Sequence, residues 1–261
     1  MTIKEWLNQC RINQLDAQLI LSHVLNKSKE WILAHDDILL PTLKLREINN
    51  MQKRRIANEP MAYLLGSKEF FRRNFVVSPN VLIPRPETEN LVELVIDKIG
   101  DKNAQILDVG TGSGCVAITL DLELPNSEVT AVDISQKALK TARKNAKNLK
   151  SKIRLQKSDL LSNIAKKQKF NLIIANLPYV DRSWQTGAEI EFEPDIALFA
   201  PENGLKLIKR LISESPAFLL QKGYLALEAD QRQHVEIIEF AKKHGYSLAK
   251  INGLAILLKQ Q

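Results

Sequence analysis

The stretch Ile106-Leu107-Asp108-Val109-Gly110-Thr111-Gly112-Ser113-Gly114 decides the fold of this 261-residue chain. An apolar, strand-like segment with one acid runs straight into three glycines at alternate positions, and apolar residues follow from Val116 to Leu122. Glycine lets a backbone turn tightly and approach a ligand closely. The pattern therefore predicts a strand, a ligand-binding loop and a helix in succession.

Short apolar strands alternate with helices from this stretch to the end of the chain. Strands are predicted near residues 106–109, 129–133, 153–155, 172–175, 224–228 and 255–258. Helices are predicted near residues 116–122, 138–146, 205–212 and 235–243, and Ser135 is a candidate cap for the second of them. Alternation of this length predicts an α/β fold with a doubly wound, Rossmann-like parallel sheet.

The first 60 or so residues have a different pattern. Apolar residues recur at positions 17, 20, 21, 24 and 25, which is the spacing of one buried helical face, and Asn13 is a candidate cap. Pro41 suits the first turn of another helix that runs toward Ile56. Residues 70–77 then predict a short β segment after Gly66. We expect a small helical domain before the α/β domain.

Composition limits the class of protein. Hydrophobic residues make up 44% and charged residues 26%, which suits a packed core. No apolar run reaches the roughly 20 residues that span a bilayer, and the first residues lack a secretory signal, so a cytoplasmic location is expected. Cys10 and Cys115 have no metal-like spacing, and no metal is expected.

The formal net charge of +7 favours a polyanionic partner such as a ribosome or RNA. The alternative is that the charge belongs to a solvated basic surface with no such partner.

The glycine loop predicts a cofactor that contains a nucleoside. Asp133 ends the next strand about 20 residues later, which suits a carboxylate that accepts hydrogen bonds from ribose hydroxyls. The glycines follow G-x-G-x-G, and Asp108 would attract a sulfonium or amino group but would not help a pyrophosphate. These details favour S-adenosylmethionine over NAD, and a tight turn without a ligand is the other alternative. Asp159 is a candidate for the adenine edge, or else a surface acid or helix cap.

The tetrapeptide Asn176-Leu177-Pro178-Tyr179 follows an apolar strand and is expected to face the glycine loop across one crevice, at the switch point of the sheet. An amide nitrogen is a weak nucleophile, so a site that methylates it needs acceptors that aim its N–H groups and stabilise developing positive charge. The Asn176 side-chain oxygen and a backbone carbonyl are the candidates. Pro178 restrains Leu177, and Tyr179 can stack on a planar amide or base. An ordinary strand-ending turn is the alternative.

The segment Leu82-Ile83-Pro84-Arg85-Pro86-Glu87-Thr88-Glu89 predicts a stiff loop before a helix, because two prolines so close together cannot lie inside a helix or a central strand. Arg85, Glu87 and Thr88 bring more polar chemistry than a linker needs. We therefore consider both a stiff linker and a segment that contacts a substrate.

Together these segments resemble the PrmC/HemK family of glutamine-N5 methyltransferases. The resemblance covers nearly the whole chain and is carried by Asp16-Ala17, residues 54–66, 82–89 and 108–114, the tetrapeptide, Glu193-Pro194-Asp195-Ile196-Ala197-Leu198 and Asn203-Gly204-Leu205. The tetrapeptide alone is moderately specific, because DNA adenine and some rRNA methyltransferases carry similar ones. The combination of residues 82–89 with Glu-Pro-x-x-Ala-Leu is more telling.

The resemblance implies a helical substrate-docking domain at residues 1–64, a β-hairpin linker at 65–84 and a seven-stranded methyltransferase domain at 85–261. It implies S-adenosyl-L-methionine as cofactor and S-adenosyl-L-homocysteine as product. Taken with the patterns above, cofactor contacts are expected at Asp108, Gly110, Thr111, Gly112, Ser113, Gly114, Asp133, Asp159, Leu160 and Asn176. Substrate contacts are expected at Arg85, Pro86, Glu87, Thr88, Asn176, Leu177, Pro178 and Tyr179, and the catalytic candidates are Asn176, Pro178 and Tyr179.

Two residues depart from the family pattern. Leu177 replaces the first proline of Asn-Pro-Pro-Tyr, so the loop keeps its backbone carbonyl and gains an N–H and some freedom, which would slow the reaction or shift the substrate. Leu160 stands where an aromatic residue can pack on the adenine, and leucine gives a thinner apolar contact.

Three functions follow as hypotheses. The leading one is methylation of the Gly-Gly-Gln glutamine of class I peptide chain release factors, in translation termination. The second is methylation of an exocyclic amine of adenine or guanine in a nucleic acid, and the third is S-adenosylmethionine binding without catalysis. The expected partners are release factors, with transient proximity to the ribosome or RNA and none to a membrane, and the expected state is a monomer.

Overall fold

The computed structural model describes residues 1–185 and 187–261, and the chain divides into two compact units. Residues 1–67 and 187–192 form the first unit, and the other described residues form the second. No helix in these described ranges is long and apolar enough to cross a membrane.

The first unit is helical. Its helices are α1 (Ile3–Gln9), α2 (Gln14–Leu25), α3 (Lys29–Ala34), α4 (Thr42–Ile56) and α5 (Met61–Leu65), and a 3-10 turn spans Ala188–Phe192. Asn13 caps α2 as predicted, because its side chain accepts a hydrogen bond from the Asp16 N–H. Pro41 is the cap residue of α4, one position before the first turn in which the sequence placed it.

The core of this unit is built by apolar faces of these helices, including Trp6, Ile20, Leu21 and Ile48. Burying each such side chain stabilises the unit by roughly 1.5–3 kcal/mol. Asp16 is also buried, and Arg55 donates to it over 2.6 Å. A buried carboxylate needs such a partner, since an unpaired buried charge is strongly destabilising.

A hairpin of β1 (Ser67–Phe70) and β2 (Arg73–Val76) precedes the elements of the second unit. These are, in chain order, α6 (Glu87–Ile99), β3 (Gln105–Val109), α7 (Cys115–Glu123), β4 (Glu128–Asp133), α8 (Gln136–Leu149), β5 (Arg154–Lys157), β6 (Phe170–Ala175), α9 (Asp195–Leu198), α10 (Lys206–Glu214), β7 (Leu219–Glu228), α11 (His234–Lys243), β8 (Tyr246–Asn252) and β9 (Ala255–Gln260). Short 3-10 turns lie at Ser215–Ala217 and Gln231–Gln233.

Among the described residues, strands β3 to β9 form one seven-stranded sheet in the order β5-β4-β3-β6-β7-β9-β8. The pairs β3–β4, β3–β6, β4–β5 and β6–β7 are parallel, while β9 pairs antiparallel with β7 and β8. The predicted doubly wound, Rossmann-like fold is confirmed. The strand order reverses between β3 and β6, which makes their carboxyl ends the topological switch point.

Both faces of the sheet are covered, because successive side chains of a strand point to opposite faces. Ile106 packs in the cluster that contains residues of α6 and α7, and its neighbour Leu107 packs in the cluster that contains residues of α10 and α11. The strands at the switch point are thus held rigidly from both sides, which fixes where the loops at their ends begin.

Candidate active site

The glycine loop and the tetrapeptide begin side by side at the switch point. Val109 at the end of β3 is the register partner of Ala175 at the end of β6. Residues that follow the two strands line one cavity of about 1200 Å³, measured with the space at its mouth. The predicted residues in its lining are Arg85, Thr88, Asp108, Gly110, Thr111, Gly112, Ser113, Asp133, Asp159, Leu160, Asn176, Leu177 and Pro178.

Four predicted site residues lie outside the cavity lining that the described residues form, namely Pro86, Glu87, Gly114 and Tyr179. Pro86 and Glu87 are exposed where α6 begins. Gly114 caps α7, and a Cβ there would lie 3.0 Å from the Ile118 Cδ1 atom. Gly114 therefore permits close packing of α7, whereas its predicted contact with the cofactor stays a prediction.

Leu177 joins the two loops. Gly110 has a φ of 79°, and a Cβ built on it would lie 3.0 Å from the Leu177 Cδ2 atom. The Leu177 side chain is buried. The residue that stands in place of the usual proline thus packs against the glycine loop, and this contact restrains the tetrapeptide where the ring of proline is missing.

Asp133 is held at the cavity by two backbone N–H groups. One carboxylate oxygen accepts from Gly112 over 2.9 Å and the other accepts from Ser135 over 2.7 Å. Burial raises the pKa of the Asp133 carboxyl, and these two hydrogen bonds oppose the shift. Each carboxylate oxygen can accept a second hydrogen bond, so the group fits a ribose diol.

Ile134 also lines the cavity, and sequence analysis missed it. Its side chain is large and apolar, yet 47% of the residue is exposed. An exposed apolar residue directly after the Asp133 carboxylate offers a surface for a flat base. The available signal was an apolar residue one position past the end of a buried strand.

Asp108 presents a buried acceptor at the cavity. The residue is 2% exposed, and its Oδ2 atom has no hydrogen-bond partner among the described residues. Burial raises the pKa of the Asp108 carboxyl to about 7; the Thr111 hydroxyl opposes this shift and the charge of Asp133 adds to it. A buried polar atom without a partner is uncommon, and an amino group of a ligand would satisfy it.

Asp159 and Leu160 reach the cavity together, but the Asp159 carboxylate is already engaged. Arg210 donates to its two oxygens over 2.8 and 2.9 Å. Leu160 has a φ of 46° and is buried in the cavity wall. The adenine contact predicted for Asp159 therefore stays a prediction, and it would have to share the carboxylate with Arg210.

Asn176 is oriented by two acceptors. Its Nδ2 atom donates to Thr88 Oγ1 and to Glu228 Oε1, each over 3.0 Å. The Tyr179 hydroxyl donates to the same Glu228 oxygen over 3.2 Å. An amide donates only through its nitrogen, so these two bonds direct Nδ2 toward Thr88 and Glu228. The Asn176 Oδ1 atom is then left as the acceptor that the cavity offers to a substrate.

Glu228 ends β7 and was missed by sequence analysis. It is 1% exposed, and burial raises the pKa of its carboxyl, while hydrogen bonds from Thr88, Tyr179 and Asn176 oppose the shift. A signal existed, because an acid at the carboxyl end of a strand next to β6 must lie near the tetrapeptide. Burial, and after it the charge of the same carboxylate, raises the pKa of the Tyr179 hydroxyl.

The other end of the tetrapeptide is held by Gly204 and Gln233. The Gln233 side chain donates to the backbone oxygens of Tyr179, over 2.9 Å, and Asn203, over 2.6 Å. A Cβ on Gly204 would lie 1.9 Å from the Tyr179 oxygen. Only glycine therefore fits at position 204, which gives the Asn203-Gly204 pair a physical reason.

Glu193 connects residues 82–89 with the Glu-Pro-x-x-Ala-Leu segment, the two segments whose combination was the most specific part of the sequence pattern. Its buried carboxylate accepts hydrogen bonds from the Ile83 N–H, over 2.9 Å, and from the Arg85 guanidinium. Arg85 lines the cavity with its charge partly balanced and its direction fixed. The proline-rich segment is thus part of the site and not merely a linker.

The residues present fit S-adenosylmethionine. Asp108 offers an amino group an acceptor that has no partner among the described residues. Asp133 offers a carboxylate for a ribose, and Ile134 and Leu160 offer apolar surface for a base. The glycine loop lets the backbone approach this ligand, since Gly110 and Gly112 both have positive φ.

Two family models match the chain, "Methyltransferase small domain" at residues 87–191 and "PrmC N-terminal domain" at residues 3–66. The chain is 35% identical to a release factor glutamine methyltransferase of Neisseria gonorrhoeae, over 96% of the chain and 93% of that protein. It is 39% identical to the protein of the same name in Vibrio cholerae, over 89% and 82%. It also matches bifunctional methyltransferases, and it spans 49% of the one from Rickettsia bellii at 35% identity.

A solved methyltransferase structure from Pyrococcus furiosus superposes with a TM-score of 0.57 at 20% identity, and the match covers 81% of this chain and 98% of that one. This likeness supports the fold. The relatives found by sequence support the family as well as the fold, since one of them is matched along nearly its full length. The chain belongs to the PrmC/HemK family of release factor glutamine methyltransferases.

Proposed function

We propose that this chain transfers the methyl group of S-adenosyl-L-methionine to the side-chain amide nitrogen, N5, of the glutamine in the Gly-Gly-Gln motif of class I peptide chain release factors. The observation that carries the proposal is the orientation of Asn176. Its nitrogen is bound by Thr88 and Glu228, which leaves an oxygen acceptor on the cavity shared with the glycine loop. The cofactor supplies an electrophilic methyl group when it is bound.

The protein's own residues bind the cofactor and orient the substrate. We assign Asp133 to the ribose and Asp108 to the amino group of the cofactor. Asn176 Oδ1 and a backbone carbonyl of the tetrapeptide accept hydrogen bonds from the glutamine NH₂ group, which aims the nitrogen lone pair and stabilises positive charge as it develops. A strong general base is not required, because the nitrogen loses its proton readily once it is alkylated.

We assign docking of the release factor to the first unit. This unit has its own apolar core, and its residues 3–66 match the family model of the N-terminal domain. The alternative function, methylation of a base in a nucleic acid, is not favoured, because the named relatives are release factor glutamine methyltransferases.

The test is a methyl-transfer assay with labelled S-adenosylmethionine and three substrates: a release factor, its Gly-Gly-Gln variant with the glutamine changed to alanine, and total ribosomal RNA. We expect label on the unaltered factor alone. Label on RNA would support the nucleic-acid function, and cofactor binding without any transfer would support a non-catalytic protein.

A matched variant tests the role of the tetrapeptide. Asn176→Ala is expected to abolish transfer to the release factor while the cofactor dissociation constant, measured by calorimetry, changes little. Turnover at the normal rate in this variant would remove Asn176 from the mechanism.

A further inference from the structure

The positive charge of the protein is concentrated in one segment. Residues 136–157 contain nine of the 37 lysines and arginines and none of the 30 aspartates and glutamates. The chain without this segment therefore has a formal net charge of −2, against +7 for the whole. We call these residues, which comprise α8, the following turn and β5, the basic margin.

The basic margin forms a continuous outer face of the second unit. α8 buries Ala138, Leu139, Ala142, Asn145 and Ala146 on one side. On the opposite side it exposes cations at the three-and-four spacing of one helical stripe, at positions 137, 140, 144 and 147. The turn and β5, which is the edge strand of the sheet, add four more exposed cations at positions 150, 152, 154 and 157.

Most of these cations lack an acidic partner in the part of the chain that the structure describes. Within the described ranges, the ion pairs of the chain include one from the basic margin, between Arg154 and Glu128 over 2.7 Å. Surface charges are usually interspersed with opposite charges, which keeps the local potential small. Nine exposed cations without an acid in their own segment instead produce a strong positive potential over one face.

The side chains of the basic margin select among anionic partners. Seven of the nine cations are lysines, and residues 136–157 contain no aromatic residue. Lysine is depleted in protein–protein interfaces, which disfavours a protein partner. Proteins bind single-stranded nucleic acids by stacking bases on aromatic rings, and this segment has none. Insertion into a membrane surface needs exposed apolar side chains beside the cations. A row of lysines without these features fits the phosphate backbone of a double helix.

We propose that the basic margin is a docking surface for double-stranded RNA, bound through its phosphates and without sequence specificity. The choice of RNA rests on the proposed function, because an enzyme whose substrate is a translation factor encounters that factor among structured RNA. Ser135 and Ala138 line the cofactor cavity from the buried side of α8, whereas the lysine stripe lies on the other side. Docking therefore leaves the active site accessible.

The test measures binding of a labelled, blunt-ended RNA duplex to the full chain by fluorescence anisotropy over a series of salt concentrations, without cofactor or release factor. A quadruple variant carries Lys137→Gln, Lys140→Gln, Lys144→Gln and Lys147→Gln. We expect its affinity to fall about tenfold or more, and the slope of log affinity against log salt to become shallower by about 3 to 4, since each phosphate contact contributes about 0.9.

The matched control removes the same charge elsewhere in the second unit, with Lys166→Gln, Lys206→Gln, Lys242→Gln and Lys243→Gln, all exposed positions. It is expected to keep the slope of the unaltered protein, and both variants are expected to keep its unfolding temperature. Equal losses in the two variants, no binding of the duplex at low salt, or equally effective competition by poly-glutamate would overturn the proposal.

A DNA duplex of the same length separates the two sources of a phosphate backbone. We expect RNA to bind at least as tightly, and tighter binding of DNA would contradict the assignment to RNA. Because no methyl transfer is measured, this outcome is independent of whether the chain modifies release factors.

Discussion

Asp108 shows how a residue that we assign to ligand binding can oppose folding. Its carboxyl has a pKa of about 7 in the folded protein, against a reference value of 3.8. Because the pKa is higher in the folded than in the unfolded chain, the protonated carboxyl contributes stability that is fully present below about pH 4. This stability is lost as the pH rises through 7. The ionised group is nonetheless the form that attracts a cationic amino group.

Replacing Asp108 by asparagine should therefore separate stability from binding. We expect Asp108→Asn to match the unaltered protein in free energy of unfolding near pH 4 and to exceed it progressively toward pH 8, by up to about 4 kcal/mol. Cofactor affinity at pH 8 should fall about tenfold or more. Urea unfolding across this pH range checks the first effect and calorimetry the second; a stability difference that does not change with pH would contradict the raised pKa.

We propose that Glu228 is a positioning residue, because it holds the Asn176 amide that we assign to the substrate. We expect Glu228→Ala to lower kcat about a hundredfold, since the Asn176 amide loses one of its two acceptors and can turn. The cofactor dissociation constant should stay the same. Glu228→Gln should recover part of kcat, because its amide oxygen can still accept from Asn176. Equal activity of the two variants, each folded by circular dichroism, would leave Glu228 with a structural role alone.

Sequence patterns reveal some site residues and hide others for a physical reason. Asp108 and Asp133 were found because each has a fixed place relative to a glycine loop. Glu228 and Gln233 are single polar residues whose partners, Asn176 and Tyr179, lie 52 and 54 positions earlier in the chain. Such long-range contacts leave no local pattern, so the one signal for Glu228 was its place at the carboxyl end of a predicted strand.

Elements with a local chemical signal were predicted well. The caps at Asn13 and Ser135 depend on a side chain reaching an N–H three positions on, so the sequence contains all the information. β8 was missed, because most of Tyr246–Asn252 is exposed at the sheet edge and lacks an apolar pattern. β7 begins at Leu219, earlier than predicted, since Gln221 and Lys222 interrupt its apolar run.

The turn before α10 offers a test of how a connecting loop supports the tetrapeptide. Gly204→Ala places a Cβ 1.9 Å from the Tyr179 oxygen, so the backbone of the tetrapeptide must move, and we expect kcat to fall about tenfold or more. Gly245→Ala is the matched control, because its φ of 81° resembles the 82° of Gly204 and no atom of the described residues lies within 4 Å of its Cβ.

Both substitutions strain the backbone by roughly 1–2 kcal/mol, which is the price of a left-handed alanine. Thermal unfolding should show this loss in both variants and a larger one in Gly204→Ala. Methyl-transfer rates should drop only in Gly204→Ala, and a similar drop in Gly245→Ala would mean that strain alone, not the clash, affects the site.

At the scale of the whole molecule, the net charge of +7 was compatible with a polyanionic partner or with a solvated basic surface, and it did not locate a surface for such a partner. The fold supplies that surface, because α8 and β5 are neighbours along one edge of the sheet. The convergence of the glycine loop and the tetrapeptide, in contrast, was predictable from the sequence. The strand order of a doubly wound sheet by itself brings the carboxyl ends of these two strands together at the switch point.

The position of β9 between β7 and β8 has a consequence for how the protein is made. Both neighbours are synthesised before it, so β7 keeps an open edge until residues 255–260 have emerged and paired. Glu228, the residue that orients Asn176, is the register partner of Ala255. The growing polypeptide therefore contains its glycine loop and tetrapeptide before the strand that pairs with β7 beside Glu228 has emerged.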